Sequence, residues 1–110
     1  MILTKNQAAK AVGKFKEKLH QSFGEKITLY LFGSVARGDF GPESDIDVLV
    51  LFNGQLTRDI EKAIMQEAFH IELEDDVVFG LMIEALSSWQ TPLSKVTPIH
   101  KVIDEEGVLV

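Results

Sequence analysis

The sequence predicts an α/β (α+β) domain, a small mixed sheet covered by helices, and three observations carry that expectation. Residues 27–32 (ITLYLF) and 48–52 (VLVLF) are apolar runs of strand length, separated by a stretch rich in Gly, Asp, Pro and Ser. A third such run, residues 77–83 (VVFGLMI), follows the second after a segment of helical periodicity. The chain also opens on a segment whose apolar residues recur at helical spacing.

Taken in order, residues 4–22 are expected to form a helix. Thr4 and Gln7 make a T-x-x-Q capping box, and Ala8, Val12, Phe15 and Leu19 share one face. Gly24 is placed to cap its C-terminus, and His20 lies where a positive charge favours the helix end. Lys10, Lys14 and Lys18 read as a solvated strip on the same helix. The strands at 27–32 and 48–52 are expected to pair antiparallel, since a parallel crossover needs about a dozen residues or more. Asn53-Gly54 marks a turn, and residues 57–71 read as a helix with Ile60, Ala63, Ile64, Ala68 and Ile71 inward. This strand–helix–strand unit makes the third strand parallel to the second through a right-handed crossover. Before that strand stands an acidic knot: Glu72, Glu74, Asp75 and Asp76. Residues 87–92 read as a loop or turn, with Trp89 as a packing residue. Pro98 opens a short helix bearing Ile99, Val102 and Ile103, and Gly107 stops it. Residues 108–110 either add an edge strand or pack on the core. The whole, 1–110, is expected to be a single domain.

Composition narrows the function. Seventeen acidic against eleven basic residues give a formal net charge of −6, which argues against a nucleic-acid template as partner. The absence of cysteine excludes disulfides and thiolate zinc sites. The opening MILTKNQAAK lacks a signal peptide's apolar centre, and no run approaches membrane-spanning length, so a cytoplasmic location without membrane association is expected.

The chemistry concentrates in residues 33–50, GSVARGDFGPESDIDVLV. Antiparallel pairing brings the end of the first strand and the start of the second to one edge, so Gly33 and Ser34 face Asp45 and Asp47. Alternate strand residues share a face, so the two carboxylates point the same way, with Leu49 and Leu51 continuing that side. Carboxylates so placed repel and call for a cation; oxygen ligands without His or Cys suit Mg²⁺ or Mn²⁺. Two such ions about 3.5–4 Å apart can clamp the attacking and leaving oxygens of a phosphoryl displacement. Gly33 lets the backbone approach a ligand, and Ser34 can start a short helix whose free N–H groups suit phosphate. Arg37 could add a fork of donors to phosphate oxygens, although a surface ion pair would equally explain it. An EF-hand loop also begins Asp-x-Asp, but needs an oxygen ligand and then Gly where this chain has Leu49 and Val50.

Gly-Ser, ten residues, then Asp-x-Asp resembles the motif of the nucleotidyltransferase superfamily typified by DNA polymerase β. The chain as a whole is similar to the minimal, MntA-type nucleotidyltransferases of prokaryotes. The resemblance implies the nucleotidyltransferase fold, a triphosphate held by Gly33, Ser34 and Arg37, and two Mg²⁺ ions held by Asp45 and Asp47. It further implies a third carboxylate on a neighbouring strand, metal-binding and acting as base for the incoming hydroxyl. Asp76 is the expected one, because parallel strands start at one edge, with Glu74 as the other candidate; the acidic knot could also be a plain linker end. The expected activity is Mg²⁺-dependent transfer of AMP from ATP to a hydroxyl, with a HEPN-type toxin as partner and this chain as the antitoxin. Two alternatives stay open: a small-molecule transferase of the aminoglycoside-modifying kind, and a non-catalytic nucleotide-binding antitoxin that masks its partner. Base preference and oligomeric state are not legible.

Overall fold

The computed structural model describes residues 3–110. Met1 and Ile2, the first positions of the expected 1–110 domain, lie outside the described residues. Helix α1 (Lys5–Phe23) begins at Thr4, whose hydroxyl accepts the Gln7 N–H while Gln7 Oε1 accepts the Thr4 N–H, both at 3.1 Å. It ends where the Gly24 N–H donates to the His20 carbonyl. Strand β1 (Ile27–Phe32) follows one turn of 3-10 helix and runs directly into the short helix α2 (Gly33–Arg37). After a loop come β2 (Ile46–Phe52), α3 (Arg58–Asp75), β3 (Phe79–Ala85), α4 (Leu86–Trp89), α5 (Pro92–Lys95), α6 (Pro98–Glu106) and β4 (Val108–Leu109).

The sheet order is β3-β2-β1-β4. As expected, β1 and β2 are antiparallel and β2 and β3 parallel. The C-terminal residues do add an edge strand, β4, antiparallel to β1. On one face Leu29, Ile46, Val48 and Val50 are buried with Phe15 and Leu19 of α1 and Ile64 and Ile71 of α3. Phe15 and Phe79 stack obliquely there, ring centres 5.1 Å apart. The opposite face carries Leu49 and Leu51, packed with Trp89 of α4 and Ile103 of α6. Trp89 is thus the packing residue its sequence context suggests.

Several boundaries differ from the sequence reading; β2 begins at Ile46 rather than residue 48, and β3 ends at Ala85 rather than residue 83. Helix α3 continues to Asp75, a turn past Ile71, so most of the acidic knot is helical. The cause is tertiary: Lys14 Nζ of α1 lies 2.7 Å from Asp75 Oδ1 and 3.6 Å from Glu74 Oε2. Strand β3 starts at Phe79 rather than at residue 77, where the Glu72 carboxylate accepts the Phe79 N–H at 2.8 Å. Residues 87–92 are not a plain loop, because Thr91 accepts the Ser94 N–H and, with Pro92 following, caps the single turn α5.

Candidate active site

The ladder between β1 and β2 sets the geometry. Phe32 is the register partner of Asp47, so α2 begins one residue past the residue that faces this carboxylate. Gly33 takes φ +75, which favours glycine, and a Cβ there would overlap Asp47 Oδ2. The Gly-Ser bend and the second aspartate are therefore in contact, as antiparallel pairing of the two strands implies. Asp45 lies just before β2 and is exposed, whereas Asp47, inside the strand, is half-buried. The loop between them and α2 is held by the Gly41 N–H donating to Ser44 Oγ at 2.8 Å and the Leu3 N–H to the Pro42 carbonyl at 2.8 Å.

Burial pushes the Asp47 carboxyl above its ordinary pKa, the Asp45 charge pushes it further the same way, and Arg37 pulls it back. Negative charge is thus concentrated here with only partial compensation. Two oxygen-bearing side chains flanked by glycines fit a divalent cation of the hard kind. Arg37 is already engaged: its Nε lies 3.2 Å from Asp39 Oδ2 and its Nη1 3.0 Å from Glu106 Oε1, tying α2 to α6. Ser34, half-buried in the first turn of α2, accepts the Gly38 N–H at its carbonyl at 2.9 Å.

Asp76 is not brought to this group. It caps α3 in a left-handed conformation (φ 54, ψ 49), is exposed, and precedes β3 by three positions. Glu74, the other candidate, is drawn to Lys14 on α1. Among the described residues no three His, Asp or Glu side chains come together as a metal site. The acidic knot instead serves the fold, through Glu72 at the start of β3 and Asp75 on Lys14. What the sequence reading passed over is Gly80, the register partner of Asp47 on β3. Its signal was present, since a glycine inside a strand marks close approach of another group.

A mixed sheet with Gly-Ser at the end of one strand and Asp-x-Asp at the start of its antiparallel neighbour defines the nucleotidyltransferase class of fold and site. The family model described as "Nucleotidyltransferase domain" matches residues 12–107, and the chain belongs to that family. A candidate protein adenylyltransferase of Methanocaldococcus jannaschii is 33% identical over 73 residues, covering 66% of this chain and 74% of the relative. Among solved structures, a toxin–antitoxin complex with AMP-PNP aligns with TM-score 0.56 and 21% identity, covering 97% of this chain and 72% of that one. A mutant of the MntA-HpeT toxin–antitoxin aligns with TM-score 0.54 and 22% identity over the same shares of the two chains. At those identities the likeness is one of fold.

Proposed function

We propose that this chain transfers AMP from ATP to a hydroxyl on a partner protein, releasing pyrophosphate, and so acts as the antitoxin of a toxin–antitoxin pair. The observation that carries the reading is the contact between Gly33 and Asp47, which sets the Gly-Ser bend against paired carboxylates. Gly33 and Ser34 hold the triphosphate at the start of α2, and Arg37, once released from Asp39 and Glu106, adds donors to it. Asp45 and Asp47 would hold Mg²⁺, which when bound would neutralise charge developing on the phosphoryl oxygens. The acceptor oxygen bonds to the α-phosphorus as the bond to pyrophosphate breaks, and pyrophosphate leaves with the electron pair. The acceptor's proton passes to water or to a group on the acceptor, since Asp76 forms no three-acid cluster with Asp45 and Asp47. The adenylyltransferase name of the archaeal relative supports AMP as the group moved, and the toxin–antitoxin neighbours support a toxin as acceptor. A HEPN-type acceptor follows from the family resemblance alone. No described helix is long and apolar enough to cross a membrane.

The test incubates the chain with α-labelled ATP, Mg²⁺ and a candidate toxin. Label on the toxin that disappears with a folded Asp47→Ala variant supports the transferase. A second reading, in which the chain binds nucleotide and silences its partner by masking, is favoured by the lack, among the described residues, of a third carboxylate clustered with Asp45 and Asp47. In that case Asp47→Ala inhibits the toxin as well as the unaltered chain does, and no label moves.

A further inference from the structure

Gly80 faces Asp47 across the parallel ladder between β2 and β3. Register partners share a face, so any side chain at position 80 would project where Asp47 projects. A Cβ built there would overlap Asp47 Oδ1 and stand 3.8 Å from the Cβ of Asp45. On the other flank a Cβ at Gly33 would overlap Oδ2 and stand 3.1 Å from Cγ. Each oxygen of one carboxylate is therefore bounded by a glycine, one from each neighbouring strand's segment. The acid of β3 on this face is Glu84, partnered with Leu51 and so four residues along β2 from Asp47, roughly 13 Å away.

We infer that Gly80 is a positioning residue: by lacking a side chain it seats the Asp47 carboxylate beside Asp45, and the cation is held by these two acids without one from β3. This rests on the cation role given to Asp45 and Asp47 above. Gly80 touches neither substrate nor metal and acts only through Asp47. The conformation needed at position 80 is ordinary strand, so its cost in other residues is the overlap and not backbone strain.

The experiment measures binding of Mn²⁺ together with AMP-PNP by calorimetry, on the full chain and on Gly80→Ala, Asp47→Ala and the double variant, with thermal melting alongside. Asp47→Ala and Gly80→Ala should each weaken Mn²⁺-dependent binding by about tenfold or more. The double variant should be no weaker than Asp47→Ala alone, because the group that Gly80 positions is already gone. Gly80→Ala binding like the unaltered chain, or weakening Asp47→Ala further, overturns the inference and leaves the proposed function standing. Asp47→Ala binding like the unaltered chain overturns both. Should Gly80→Ala fail to fold, the double variant must fold, since the atom it meets is absent; failure of both to fold overturns the inference.

Discussion

Phe32 and Asp47 face one another across the β1–β2 ladder, and the backbone turns into α2 at the next residue, Gly33. That pairing joins the two halves of the motif. It holds a carboxylate half-buried at the sheet's rim, next to a second one. The arrangement is unfavourable to the fold on its own.

Asp47→Asn should therefore melt at a higher temperature than the unaltered chain. Because the folded state raises the Asp47 pKa, through burial first and Asp45 second, the ionised form destabilises the fold. The penalty is absent below the ordinary carboxylate range and appears as pH rises through the raised folded pKa. The difference in melting temperature should be largest at neutral pH and shrink as pH falls into that range. Equal melting at neutral pH would show that the charge costs nothing.

Added Mg²⁺ with AMP-PNP should raise the melting temperature of the unaltered chain and leave Asp47→Asn nearly unmoved. A ligand that binds only the folded state stabilises it by mass action, by about 2.7 kcal/mol at a hundred times its Kd. Differential scanning fluorimetry over a concentration series reads this directly.

Gly33→Ala forces a side chain into a left-handed backbone position and against Asp47. The backbone alone should cost about 1–3 kcal/mol. Nucleotide binding should fall as well, and urea unfolding with a parallel binding titration separates the two losses.

Phe15 is wholly buried, and its ring meets Phe79 at the start of β3. Phe15→Ala should cost about 3–5 kcal/mol, seen as a lower midpoint in urea. The loss should exceed that of Leu93→Ala, at a residue that is 79% exposed.

Lys14→Met removes the cation that pairs with Asp75, whose other oxygen already has no partner in its buried position. Stability should fall. The fraying should appear first at the last turn of α3, as faster amide exchange from Glu72 to Asp75. Uniform exchange along α3 would argue that the pair contributes nothing local.

Much of this was readable from the chain. The helix cap at Thr4 was written in local chemistry, and the antiparallel pairing of the strands on either side of the Gly-Ser and Asp-x-Asp pairs was expected and is found. Strand alternation covers Asp47 but not Asp45, which lies just before β2. The acidic knot was not readable, because its meaning lies in Lys14, some sixty residues away in sequence. The start of β3 was unreadable for a related reason: 77–83 is apolar at nearly every position, and such a run does not specify its own register. Asp76 was placed by assuming that the strand began at once. With β3 beginning at Phe79, the position beside Asp47 belongs to Gly80.

The single tryptophan, Trp89, lies flat against the His100 ring, with centres 3.9 Å apart and planes 8° from parallel. His100 in turn is held by Ser94 Oγ at 2.9 Å. One indole thus reports on the C-terminal helical layer separately from α1 and α3. Its ultraviolet emission, followed against far-ultraviolet dichroism during denaturation, would reveal whether that layer peels from the sheet before the rest of the domain gives way.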